Sequence, residues 1–191
     1  MRKIFILLSF IFFSLFSRVA EAQHESQTMA IIKDFAAYNL WANRAYVTWL
    51  NSADSSQFHQ HVESSFKSLA ETVVHLWNAE HGWLNTLLDQ PWGDPPSKTF
   101  EGKQHQEILS AWLLTSEALA NHVQQLSDEQ IARVFTRKDG SSLGTAAQIM
   151  LHVFNHATYH RGQLITMGRQ VGLQNPPRAD YIYYISEQQN K

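Results

Sequence analysis

The sequence predicts an all-α protein, a four-helix bundle with a small hairpin or irregular loop before its last long helix. Three observations carry that expectation. Four long segments place apolar side chains in alternating steps of three and four, the period of one helix face. The breaks between them hold the prolines, glycines and capping residues that end and start helices. Only one stretch, residues 134–143, reads as strand and turn.

The first helix is expected over roughly 28–50, where Ile31, Phe35, Tyr38, Ala42, Ala45 and Trp49 share a face. Residues 51–61 are polar and read as a loop. The second helix is expected over roughly 65–89. Its seam is Phe66, Leu69, Val73, Leu76, Glu80, Trp83 and Leu87, so one carboxylate stands among core positions. The run QPWGDPPS, residues 90–97, ends it. A third helix over roughly 102–126 faces inward with Ile108, Trp112, Leu119, Val123 and Leu126. Ser127 and Gln130 then have capping-box spacing, which starts a short helical turn. Asp139-Gly140 between two β-prone pieces suggests a small hairpin or wide loop. Thr145 and Gln148 form a second capping box, and the helix they open runs to about Val171, with Gly172 behind it. YIYYI, residues 181–185, is β-prone in composition and equally compatible with a short closing helix.

The 191 residues suit one domain with a full core, and 44% hydrophobic against 17% charged residues mark a globular chain. Residues 1–22 are expected to lie outside it. Arg2 and Lys3 precede a nearly unbroken apolar run from Ile4 to Phe16, and Ala20-Glu21-Ala22 is an A-x-A site. That is the pattern of a secretory signal peptide cleaved before Gln23, which makes 23–191 the mature domain. The chain is therefore expected to be exported, to the bacterial periplasm or the medium, and to keep no stable membrane span after cleavage. The apolar run is short of the ~20 residues a bilayer requires. Cleavage removes three of 15 basic and one of 17 acidic side chains, leaving a net charge near −4. Such a surface is no footprint for nucleic acid. The absence of cysteine excludes disulfides, thiolate ligands, a cysteine nucleophile and a lipoprotein anchor.

The fourth helix holds the chemistry. Ala146, Ile149, Val153, His156, His160, Gln163 and Met167 share a face, which places two imidazoles and an amide where a core takes apolar groups. Each unmet buried polar group costs about 1–3 kcal/mol, so these rings must find partners. At a spacing of four, His156 and His160 can converge on one metal ion, or they can be hydrogen-bonded core residues. His75 is the best-placed third ligand. It sits in a stripe of small residues, Ser68, Thr72, Ala79, Gly82 and Thr86, that leaves room beside it. A three-His site keeps a coordination position open, as reactive metal sites do. His152, one turn before His156, can line the same pocket or its rim. Glu80 can orient a ligand imidazole or pair with Arg161 or Arg44, and Gln163 can bond to backbone or to a bound molecule. Trp41, Trp77, Trp83 and Tyr159 are candidate pocket walls. The chain carries no H-E-x-x-H, no paired E-x-x-H, no glycine-rich phosphate loop and no G-x-S-x-G.

The segment NHATYHRGQL, residues 155–164, resembles the signature of the DinB (damage-inducible) family of helical metalloproteins. YNLWANR, residues 38–44, and HLWNAEHGWL, residues 75–84, resemble segments of that family's first and second helices. The resemblance implies a four-helix bundle with one divalent ion, nickel, zinc or similar, held by His75, His156 and His160. It also implies a homodimer, and for some relatives a thiol-dependent transferase or isomerase activity. Low-molecular-weight thiols are scarce outside the cytoplasm, so export argues against that last role. Three functions follow as expectations. The first is a metal-dependent enzyme, a hydrolase or transferase, that activates water or a small nucleophile against a small-molecule substrate. The second is a non-catalytic metal-binding or sensing module. The third is a bundle whose histidines are only structural.

Overall fold

The computed structural model describes residues 27–100 and 104–190. The expected signal peptide, 1–22, lies outside the described residues. Seven α-helices and one two-stranded sheet follow in order among the described residues. They are α1 (27–50), α2 (Ser55–His59), α3 (Leu69–Leu87), α4 (His105–Gln124), α5 (Asp128–Ala132), β1 (Val134–Thr136), β2 (Ser142–Thr145), α6 (Ala146–Gln170) and α7 (Tyr181–Gln189). A 3₁₀ turn, Pro96–Phe100, lies between α3 and α4. No helix among the described residues is long and apolar enough to cross a membrane.

Two apolar clusters set the direction of the four long helices. One joins Trp49 and Leu50 to Leu69, Val73, Ile108, Trp112, Leu164 and Met167. The other joins Ile32 and Ala36 to Leu84, Leu87, Leu119, Val123, Ile149 and Val153. The end of α1 thus meets the starts of α3 and α4 and the end of α6. Helices α1 and α6 run one way, α3 and α4 the other. The parallel pair α3 and α4 needs a connection that returns along their length, and its described part includes the 3₁₀ turn Pro96–Phe100. At α1's C-terminal end the Trp49 indole packs onto α6 in the space that Gly168 leaves.

Helix boundaries follow the caps. Thr145 accepts from the Gln148 amide at 3.2 Å, while the Gln148 side chain accepts from the Thr145 amide at 2.9 Å, so α6 opens as its capping box predicts. It closes in a Schellman turn: Gly172 N–H donates to Arg169 O and Leu173 N–H to Gly168 O, with Gly172 at φ 90°. Of the two forms expected here, the hairpin is the one observed: the short strands pair antiparallel with a turn at Gly140. YIYYI is helical and starts α7.

Three expectations need correction. Residues 51–61 are not simply a loop, because Asp54 and Gln57 form a capping box and α2 buries Phe58 completely. Helix α3 starts at Leu69, not near 65. Ser68 accepts from the Glu71 amide and Glu71 Oε2 accepts from the Lys67 amide, which ends the helix there and frees Phe66 from the seam. On α1 the buried face is broader than expected. Tyr38, Ala42 and Trp49 are buried as predicted, but Ile32, Ala36, Asn39, Asn43 and Leu50 are buried beside them, while Ile31 is 55% exposed. The apolar-only reading of α1 missed this because two of the inward residues are asparagines.

Candidate metal centre

Helices α3 and α6 bring three imidazoles together. His75 Nε2 lies 2.9 Å from His156 Nε2, and His160 Nε2 lies 3.1 Å from the same atom. All three ligand atoms fall within 4.8 Å of one another. His160 is buried, and His75 and His156 are half-buried. The buried stripe of α6 runs through Met150, Val153, Phe154, Ala157, His160, Arg161 and Leu164. His156 and Gln163 lie on its flank, so the imidazole cluster spans the edge of the core.

The surroundings fix two of the rings. Phe66, released by the late start of α3, stacks on His75 with centroids 4.4 Å apart and also packs against His160. Gln163 Oε1 lies 2.7 Å from His160 Nδ1, and Gln163 Nε2 donates to Ser65 Oγ at 3.0 Å. A carbonyl oxygen only accepts, so the proton of neutral His160 sits on Nδ1 and its Nε2 is a bare acceptor. His156 Nε2 then faces two ring nitrogens with one proton or one lone pair to offer. Among neutral rings, at most one of the two contacts is a full hydrogen bond. A single cation would satisfy all three lone pairs. Imidazole nitrogens at ~2.0–2.1 Å from a tetrahedral ion are about 3.3 Å apart, so small outward turns of these rings accommodate one. The residues present therefore fit a divalent ion.

Electrostatics points the same way. Burial, with His160, His75 and His152 adding to it, pushes His156 down to about 4. Burial and the His160 ring lower His75. Both rings are held neutral near pH 7, the form that binds metal.

A cavity of about 360 Å³ opens on His75 and His156. His152 lines it, with its ring 5.3 Å from Trp83 and 5.8 Å from His156. Of the four expected walls, Trp83 alone lines it. Trp77 is buried and donates to Thr115 Oγ1, Trp41 donates to Glu187 on α7, and Tyr159 is exposed with its ring edge against His160. The missed wall is Trp92, from the α3–α4 connection, which lies on Gly82. A Cβ there would stand 2.8 Å from the indole. The small-residue stripe of α3 was the trace of Trp92, although it named no partner.

Glu80 and Arg161 belong to a different cluster. Glu80 accepts from Asn39 Nδ2 at 3.0 Å, Asn43 Nδ2 at 2.8 Å and Ser116 Oγ at 2.5 Å. Arg161 Nη1 donates to Asn39 Oδ1 at 2.6 Å and Asn43 Oδ1 at 2.8 Å, and Nη2 to Thr158 Oγ1 at 3.0 Å. Two asparagines thus bridge a buried carboxylate and a buried guanidinium. Glu80 hydrogen-bonds to no imidazole among the described residues, and Arg44 pairs with Glu117 on the surface. Of the roles open to Glu80, a bond to a ligand ring and a pairing with Arg161 or Arg44, the described contacts come nearest to the pairing with Arg161, and α1 places two amides between the two groups. Burial raises Glu80 against the pull of Ser116, Asn39, Asn43 and Arg161, and lowers Arg161 against the pull of Tyr38, Glu80 and Tyr46.

Three imidazoles at the flank of two packed helices, beside an aromatic cavity, define a helical protein with a candidate divalent-metal site. Comparison with known proteins makes the class specific. The profile of the DinB family matches residues 24–191, and the chain belongs to that family. It is 29% identical over 167 residues to protein DinB of Bacillus subtilis (strain 168), covering 81% of this chain and 95% of that protein. It is 21% identical over 150 residues to the uncharacterized protein YizA of the same organism, covering 78% of this chain and 92% of that one.

Proposed function

We propose that this protein binds one divalent metal ion, nickel, zinc or a similar ion, through Nε2 of His75, His156 and His160. The four long helices, read as a four-helix bundle, present that site to a small-molecule substrate. The observation that carries the reading is the convergence of three ring nitrogens that hydrogen bonding among neutral imidazoles leaves unsatisfied. Gln163 sets the His160 tautomer, and Phe66 covers one side of the cluster. The cavity beside His75 and His156 favours an enzyme over a metal buffer, since a buffer has no use for it. A divalent ion here would supply Lewis acidity toward a donor atom of substrate, water or a small nucleophile, which suits a hydrolase or a transferase. His152, exposed at the cavity, is placed to hold or move a proton beside that position. Export through residues 1–22 and a homodimeric state are part of the same proposal, supported by the sequence pattern and by the family resemblance.

The test is metal content. Tag-free protein beginning at Gln23 is purified from the exported fraction, beside the double variant His156→Ala/His160→Ala. About one ion per chain in the first and none in the second is the expected result. No ion in the wild type, after both zinc and nickel have been offered, would leave the histidines as a structural cluster. One ion per chain without turnover of any substrate class would favour the non-catalytic module.

A further inference from the structure

The walls of the cavity beside the imidazoles restrict what it accepts. Among the described residues no Asp, Glu, Lys or Arg lines it. Asn78, His81 and Trp92 are bonded to neighbours outside the lining. Asn78 donates to Ser97 Oγ at 2.9 Å and accepts from the Ser97 amide, Trp92 Nε1 donates to Thr86 Oγ1 at 2.8 Å, and His81 Nε2 pairs with Asn85 Nδ2 at 3.0 Å. What remains toward the space, apart from the His152 imidazole, is aromatic and small. Trp83 meets Trp92 edge-on with centroids 5.4 Å apart, His152 meets Trp83 edge-on from the other side, and Ala79 and Gly82 form the floor. The volume, about 360 Å³, is at the small end of the roughly 300–1,000 Å³ typical of organic-ligand sites.

Charge supplies the second restriction. Three neutral imidazoles leave both charges of a divalent ion uncompensated, and the cavity lining offers no carboxylate to balance them. The balancing anion has to come from the ligand. Resting on the metal reading above, the geometry points to a small ligand with two parts: one anionic donor atom group that reaches the metal, and a flat apolar body held in the Trp83–Trp92 corner. Carbohydrates and polyvalent phosphates are poor fits, because no charged or free amide side chain among the described lining residues answers their polar groups. Trp92 is then a specificity-determining residue, and Gly82 is the residue that permits its position.

Calorimetry on the zinc-loaded, tag-free protein tests this with three probes. Benzohydroxamate has the anionic head and the ring, acetohydroxamate has the head alone, and benzamide has the ring without a good anionic donor. Benzohydroxamate is expected to bind at least ~10-fold more tightly than either of the others, about 1.4 kcal/mol, from its ring contacts and the apolar area it buries in the corner. Trp92→Ala, with zinc stoichiometry unchanged, is expected to remove the preference for the ring and leave acetohydroxamate affinity as it was. Gly82→Ala, which displaces the indole, is expected to do the same and provides a second route if either variant folds poorly. Equal affinity for the two hydroxamates, a preference untouched by both variants, or benzamide binding as tightly as benzohydroxamate overturns the inference while the metal site stands. Failure of the wild type to bind zinc is read separately from metal content, and it sinks the metal reading together with this one.

Discussion

Two polar clusters lie in this protein about one helix turn apart along α3, and they are built on opposite plans. The cluster of Asn39, Asn43, Glu80, Ser116 and Arg161 is closed. Both carboxylate oxygens and the guanidinium have partners, those partners bridge to one another, and all the members are buried. The cluster of His75, His156 and His160 is open. Its three nitrogens converge with too few protons among them, and it borders a cavity. The difference separates structure from function. A satisfied buried network specifies how helices pack, whereas an unsatisfied one beside a space calls for a further partner, the metal ion proposed above.

Each plan makes its own predictions, and the largest concern the closed cluster. Glu80→Ala leaves the Arg161 guanidinium buried without its counter-charge, and is expected to cost about 3–5 kcal/mol of stability whether or not metal is present. Urea unfolding in chelator and in zinc measures it; a cost that vanishes with chelation would show the two clusters to be one. The open cluster should respond to metal in the opposite manner. Zinc at about a thousand times its Kd is expected to stabilise the wild type by about 4 kcal/mol and leave His156→Ala/His160→Ala unmoved. Thermal melts with and without zinc read this, and equal shifts in both proteins would remove the imidazoles from the site.

Smaller effects sharpen the contrast. Gln163→Leu removes the acceptor that fixes the His160 tautomer, and is expected to weaken zinc binding by roughly 10–100-fold with little change in metal-free stability. Competition with a chromophoric chelator checks it. The last prediction concerns protons. In metal-free protein the folded His156 titrates at about 4, below its ordinary 6.5, with His75, His160 and His152 facing it. Between those values the unfolded chain binds the proton and the folded chain does not. Stability attributable to this ring is therefore complete above 6.5 and is lost as pH falls toward 4. The ring is half-exposed, so the loss is modest. The difference between wild type and His156→Ala in urea midpoint at pH 7 and pH 4.5 isolates it, and a difference that does not change with pH would show that the ring is not held neutral.

The two clusters also differ in how far the sequence betrayed them. His156 and His160 stand four apart on an otherwise apolar helix, and the small residues around His75 mark a space, so local periodicity was enough to single them out. The closed cluster was half visible. Glu80 stood out in the seam of α3, but its partners did not. Asn39 and Asn43 look like solvent-facing residues when α1 is read by its apolar side chains, and Ser116 fills a gap between Trp112 and Leu119 that an apolar count simply skips. Phe66 falls on the apolar period of α3, and that period does not show that the helix begins only after Ser68. Trp92 sits in a connection that has no periodicity to show which face it covers.

The sequence by itself determined the helical class, the capping boxes that open α5 and α6, the glycine that closes α6, and the imidazoles of interest. These all depend on residues within a few positions of one another, where 3.6-residue geometry and cap chemistry suffice. Tertiary structure alone decided that α1 turns two asparagines inward, that Glu80 meets them and not a histidine, that Phe66 stacks on His75, and that Trp92 closes over Gly82. Each of those contacts joins segments whose mutual rotation is set by packing the whole interior at once, and no local pattern carries that information.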